Sequence, residues 1–497
     1  MDVCSRKTNC YAPWILPVGT ILAVTPLLAR SVGPYWGWSF HVTLWQLLIL
    51  SSVGLGTLWL NLRGRIVHLS LVAFPILFLV GYPLRVVSVE TSQSMEALGS
   101  VSLSFGRFMF SSGEYWEFTA ISVLGILGLT IGQLMMRPWC RRKTRKVGTS
   151  VVHGAAACSW AAWWWFGLSI GDVVLSVGLG VGSSGLEHAA LPFRLTGVLF
   201  FARTLVLPLW GMYLFGVAVE NRLRGVTYRI LLLSLLIGVV SFPVTLSKAS
   251  LLYAMLPYLA YLTIYAYRWR VSRKMVRWSG LAVILLLPVT VLSVQAARDL
   301  AYSTGRLASL EEIIKESRAD FGSLSVAESA STMQHLVLDR IIGSGELMGV
   351  VAGPAYDKKL ILEILRGNGT KEEVGVSEVF YELFGLAPST VSGVYNGKAF
   401  GLFGLLYLAH DPLFVFIVAL ILGSVVLWVE DLFLRNFNAG AAALVGFMIS
   451  MAVWEGGFDT LQHYPLILGA IFVGRRFLSA RRRRAAEVAG SAECLAE

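Results

Sequence analysis

Apolar runs long enough to cross a bilayer recur along nearly the whole chain, and they decide what it can fold into. A bilayer core takes about 20 mostly apolar residues per helix, with a range of roughly 17–25. About twelve runs qualify: 12–29, 40–62, 66–85, 116–136, 152–171, 195–219, 230–247, 249–267, 279–297, 412–429, 438–455 and 464–480. The expected fold is an all-α polytopic membrane protein of about twelve transmembrane helices. Composition agrees: 56% of residues are hydrophobic and 14% charged, against roughly 45–50% and about 25% in soluble proteins. A water-soluble enzyme, a disordered chain and a nucleic-acid-binding domain are excluded. The net charge of +11 does not reopen the last, because the basic residues sit in short clusters between apolar runs.

Those clusters set the orientation, since short cytoplasmic loops favour Lys and Arg. With the N-terminus inside, the inner loops hold about 25 of the 41 basic residues, including Arg137 to Lys146, Arg268 to Arg277 and Arg475 to Arg484. Both termini are therefore expected in the cytoplasm. Arg6 and Lys7 before the first run imitate a signal peptide, but no small-residue cleavage site follows, so that run is expected to stay as a first helix.

The spans divide the chain into four parts: nine spans over 1–297, an extracytoplasmic segment over 298–400, three spans over 401–484, and a short Ala-rich cytoplasmic tail over 485–497. The outer segment has ten basic and fourteen acidic residues, too polar for lipid. Helical spacing over 311–318, 329–342 and 357–365 predicts a mostly helical cap. Gly343 to Gly349 reads as a Gly-rich turn. Residues 388–403 lead back towards the membrane as a re-entrant element or an amphipathic surface helix.

Ionisable groups within spans are expensive and mark functional sites. Arg194 and Arg203 lie on the sixth span, about 13 Å apart at 1.5 Å per residue. Lys248 sits at an outer turn, Arg85 closes the third span and Arg298 opens the long segment. Cations at one depth on several helices suit a phosphate-bearing substrate, because Arg meets phosphate in a bidentate fork and Lys as a point charge. The competing reading is neutralisation by Asp172 or Glu187. Acid–base candidates are Glu187 beside His188, and His335 with Asp339 one helical turn apart and next to Arg340. Trp163 to Trp165 fits an interfacial belt or a sugar-stacking surface. The five cysteines show no metal-ligand spacing, no cofactor motif occurs, and P-loop, HExxH and GxSxG patterns are absent.

The span count, the single large outer segment in the C-terminal half, ArgLeuThrGly at 194–197, SerLysAlaSer at 247–250 and ProSerThrValSerGlyValTyr…GlyLeuPheGly at 388–404 resemble the O-antigen polymerase (Wzy-type) family. That resemblance implies a glycosyltransferase of the bacterial inner (plasma) membrane that joins polyprenyl-diphosphate-linked oligosaccharide units. It needs no nucleotide or cofactor; its partners would be the lipid-linked oligosaccharide, the bilayer and a chain-length regulator. It further implies that Arg194, Arg203, Lys248, Arg298 and Arg340 contact diphosphate, that Glu187, His335 or Asp339 takes the acceptor proton, and that Tyr395 meets sugar. An O-antigen ligase or other lipid-linked-sugar glycosyltransferase shares the donor and differs in acceptor. A lipid-oligosaccharide flippase or transporter would use the same cationic cavity without bond formation.

Overall fold

The computed structural model describes residues 38–62, 68–85, 112–143, 155–179, 195–245, 254–262, 344–366 and 400–455, with isolated positions between 278 and 315. All regular structure among them is helical. In chain order the helices are α1 (Trp38–Leu62), α2 (Leu69–Leu79), α3 (Ser112–Lys143), α4 (Ala155–Gly178), α5 (Leu195–Phe201), α6 (Leu207–Glu220), α7 (Arg224–Thr245), α8 (Ser344–Val351), α9 (Lys358–Arg366), α10 (Gly401–Tyr407), α11 (Pro412–Asn436) and α12 (Ala439–Glu455). A π-helical turn, Val80–Leu84, extends α2, and another, Ala202–Val206, joins α5 to α6 into one rod. Residues 254–262 are also helical.

Six of these helices are long and apolar enough to cross a membrane: the rods around 45–62, 113–140, 155–178, 195–220, 224–241 and 412–436. The apolar stretches Leu69–Leu84 and Ala439–Glu455 are shorter. The chain is thus a polytopic helical protein. The expected spans at 12–29 and 464–480, and most of 279–297, lie outside the described residues.

The outward faces confirm the solvent these helices are built for. On α11, Leu413, Ile417, Ile421, Val425 and Trp428 form an exposed stripe at helical spacing, while Val415, Ala419, Gly423 and Val426 turn inward. A soluble monomer rarely exposes such a patch; lipid tails cover it at no cost. Inside, small residues decide the packing, because apolar burial alone cannot draw helices together in lipid. A Cβ at Gly132 of α3 would collide with the Leu420 carbonyl, and one at Gly423 with the Leu129 carbonyl. The two backbones therefore touch, and the Ser424 hydroxyl donates to the Gly132 carbonyl at 3.0 Å.

Direction follows from register. Gly128 faces Phe416 and Ala419, Gly132 faces Leu420 and Ser424, and Cys140 packs by Leu427, so α3 and α11 run parallel. Parallel spans need an odd number of crossings between them, and the five expected spans satisfy that. Helix α12 then ties this group to α6, where a Cβ at Gly440 would strike the Met212 carbonyl and the Asn438 amide donates to the Tyr213 carbonyl at 2.8 Å.

The described part of the segment after the expected ninth span packs on the bundle. The expected Gly-rich turn, Gly343 to Gly349, falls from Ser344 on within the helix α8, with Leu347, Met348, Val350 and Val351 buried against α3 and α10. The helical spacing of the run SerGlyGluLeuMetGlyValVal outweighs its two glycines. All seven residues of α10 are buried, while residues 388–399 of the expected re-entrant or surface element lie outside the described residues. Helix α9 matches the expected helix over 357–365, and Tyr356 just before it donates its backbone N–H to the Leu408 carbonyl at 2.7 Å.

Candidate functional site

The half of the bundle expected to face outward carries two buried or half-buried arginines, each beside a π-helical turn. Arg203 lies within the turn Ala202–Val206. Pro208, just below, lacks the N–H that would reach back to Thr204, and the ladder widens in the turn above. Such bulges recur at functional sites. Arg203 Nε donates to Asp172 Oδ2 of α4 at 3.0 Å, and Nη2 donates to the Ser176 hydroxyl one helical turn further on. The Arg203 side chain is 15% exposed and that of Asp172 6%. Among the described residues, Asp172 Oδ1 accepts no hydrogen bond although it is buried. The ion pair therefore orients the guanidinium and leaves one carboxylate oxygen to spare.

Arg85 follows the turn Val80–Leu84, which contains Pro83. Snorkelling to the interface would leave its head in water; instead the side chain is 3% exposed and donates through Nη2 to Glu346 Oε1 of α8 at 2.9 Å. Glu117 of α3 accepts a hydrogen bond from the Tyr407 hydroxyl of α10. Between these contacts sits an aromatic cluster: Tyr82 stacks on Phe118 at 6.0 Å between centroids, and Phe403 and Trp454 pack against Tyr82 at 5.4 and 5.6 Å. Residues from the C-terminal ends of the Leu69–Leu84 stretch and α12, the N-terminal end of α3, and α8 and α10 thus meet in one place.

Of the residues expected to contact diphosphate, take the proton or meet sugar, Arg203 is described. Arg194, Lys248, Arg298, Arg340, Glu187, His335, Asp339 and Tyr395 lie outside the described residues. Arg85 and Arg203 each hold a carboxylate of their own, and among the described residues no group of cations surrounds a shared space. For Arg203 the neutralising partner is Asp172, one of the two weighed from the sequence. Trp163 and Trp164 face outward, with Arg229 stacked 5.9 Å from the Trp163 ring, whereas Trp165 is buried and donates to the Leu207 carbonyl at 2.7 Å. The outward pair keeps both expected readings, belt or stacking surface, and Trp165 fits neither.

Sequence reasoning passed over Glu117, Glu346, Glu430 and Asp431. Glu430 and Asp431 were visible by the criterion applied to Arg203, as ionisable residues continuing an apolar run. No known protein family, curated protein or solved structure matches this chain, so its functional reading rests on its own residues.

Proposed function

We propose that the chain is a membrane glycosyltransferase that polymerises polyprenyl-diphosphate-linked oligosaccharide repeat units at the outer face of a bacterial inner membrane. The observation that carries this reading is the Arg203–Asp172 pair: a guanidinium held by a carboxylate of the neighbouring helix α4, beside a carboxylate oxygen with no partner among the described residues. In the reaction, an acceptor sugar hydroxyl bonds to the anomeric carbon of the growing chain while the bond from that carbon to the diphosphate oxygen breaks. The diphosphate leaves with the bonding pair, and the hydroxyl proton passes to a base. Arg203 stabilises the developing charge on the leaving group, with Arg194, Lys248, Arg298 and Arg340 as its proposed companions. Glu187, His335 and Asp339 stay the proposed bases, and Asp172 joins them through Oδ1. Tyr395 is the proposed sugar contact. The docking of α8 and the burial of α10 support a site between the outer segment and the bundle.

The test uses the full chain in lipid with a lipid-linked repeat unit and no nucleotide. A ladder of longer glycans is expected, with Arg203→Ala slowing extension by about 10²–10³-fold, the typical loss of one charge-stabilising donor. Transport without bond formation overturns the reading, and undiminished extension by Arg203→Ala overturns the role of that side chain.

A further inference from the structure

A guanidinium set in a membrane span is costly unless a carboxylate or a set of acceptors meets it. Among the described residues, Arg203 holds Asp172, and Arg435 holds Asp431, which His68 also faces at 3.5 Å. Arg137 donates instead to the Leu60 and Asn61 carbonyls at 3.4 and 2.6 Å, at the negative end of α1. Arg229 departs from this pattern. It lies in the second turn of the candidate span Arg224–Ser241 and is exposed. Its Nη1 donates to the Ser159 hydroxyl of α4, and its guanidinium stands over the Trp163 ring. Both partners are neutral, and among the described residues no carboxylate pairs with Arg229. Its positive charge is therefore held in place without being cancelled.

The side chains beside it say what it faces. Trp160 and Trp163 of α4 and Tyr228 and Leu232 of α7 are all exposed, from 48% to 67%. Such a patch belongs in lipid, and Trp and Tyr favour the two membrane faces. Arg229 and Ser159 both lie within the first two turns of their helices. A helical side chain leans towards the N-terminus, so the guanidinium reaches back along α7 to the membrane face while its stem stays on apolar surface. The Ser159 bond uses one N–H of Nη1; Nε and Nη2 have no acceptor among the described residues. That free edge is the fork that takes two oxygens of a phosphate. Arg222 and Arg224, both exposed at the start of α7, add to the positive charge of this end.

We propose that Arg229, oriented by Ser159 and Trp163, binds the phosphodiester of an anionic phospholipid on the outward face where α4 and α7 meet. The phosphate supplies the counter-charge that the protein omits, and the acyl chains lie on the exposed Trp163 and Leu232. A zwitterionic lipid fits less well, because its own ammonium already competes for the phosphate. Simple snorkelling of Arg229 into water needs no lipid and predicts no choice between the two. The site is independent of the glycosyltransferase reading: Asp172 lies thirteen residues further along α4 than Ser159, about 20 Å away at 1.5 Å per residue.

The test places the full chain in vesicles containing photoactivatable phosphatidylglycerol or phosphatidylcholine, each with its reactive group next to the headgroup, and maps the adducts by mass spectrometry. Trp428 of α11 is a reference within the same molecule: it is 51% exposed, and Arg435 two turns on is already paired with Asp431. In the wild type, phosphatidylglycerol should label Ser159 to Trp164 and Tyr228 to Leu232 about fivefold more than phosphatidylcholine does, the preference worth one basic residue at an anionic surface. The two lipids should label Trp428 alike. Arg229→Gln should bring the phosphatidylglycerol adducts on α4 and α7 down to the phosphatidylcholine level. Equal labelling by the two lipids in the wild type overturns the site, and that comparison needs no variant to fold. An equal preference at Trp428, or one that survives Arg229→Gln, overturns it as well, because the attraction then belongs to the protein's overall charge.

Discussion

Breaking the Arg85–Glu346 pair should loosen the outer segment from the bundle. The two side chains are 3% and 8% exposed and 2.9 Å apart. At an effective dielectric constant of about 20, unit charges at that separation attract by roughly 6 kcal/mol. Desolvation offsets most of this, so the pair's net worth is small, but removing one partner strands the other and costs about 3–5 kcal/mol. Arg85→Met and Glu346→Leu should each lose stability in that range, read from reversible denaturant unfolding in detergent micelles. The double variant should lose less than either single one, because neither charge is then stranded. Limited proteolysis between Arg298 and Phe400 should accelerate in both single variants, since α8 is the buried anchor of that segment. If the two single losses simply add in the double variant, the charges are not coupled and the anchoring argument fails.

Gly132→Val should disrupt the parallel contact of α3 with α11, because the added carbons fall on the Leu420 backbone and no side chain can yield; a loss of at least about 1–3 kcal/mol in the same unfolding assay is expected, while Gly167→Val, where a Cβ meets open space, should stay near wild type apart from helix propensity. Asp411 caps α11, accepting from the backbone of Leu413 and Phe414 at 2.9 and 3.1 Å, and Lys358 binds its other oxygen. The Lys358 ammonium first, then the Phe414 N–H, hold its carboxyl below the usual carboxylate range. A lowered folded value means that its contribution is complete above the unfolded value near 3.9 and fades as pH falls through the lowered one. Thermal unfolding of Asp411→Asn, which keeps the acceptor and drops the charge, should therefore be less sensitive to acid than wild type below about pH 4.

Hydropathy located the helices well because lipid imposes a length. The runs at 40–62, 195–219 and 438–455 fall within one or two residues of α1, the α5–α6 rod and α12. Helix α3 overshoots its run, 116–136, to Lys143, because Arg137 turns inward to cap α1 instead of ending the helix. Charge placement ends an apolar run without ending a helix. Residues 344–351 went the other way: glycines that signal a turn in a soluble loop are, in a helix packed on membrane spans, what lets its neighbours approach, and Gly404 of α10 lies against Leu347 in that manner.

Facing and pairing were far less legible, for a reason particular to lipid. In water, a helix advertises its buried side by apolar periodicity; on α11 both sides are apolar, and only Ala419, Gly423 and Ser424 mark the side that packs. Ionisable residues are the other available signal, and they speak in pairs. Arg85 and Glu346 are 261 positions apart, and Arg203 and Asp172 are 31 apart; no local window contains either pair. What the sequence does restrict is parity: a group at the outer end of one span can meet only groups at the outer ends of others or in the outer segment. Each buried ionic contact described obeys that restriction, with Asp172, Arg203, Arg85 and Glu346 in one half and His68, Asp431 and Arg435 in the other. A cation in a span is therefore poor evidence for a substrate phosphate until the carboxylates of matching parity have been tried against it. For Arg203 that trial leaves Asp172 with an oxygen unbonded among the described residues, and this surplus, more than the charge of the arginine, is what supports the role proposed for the pair.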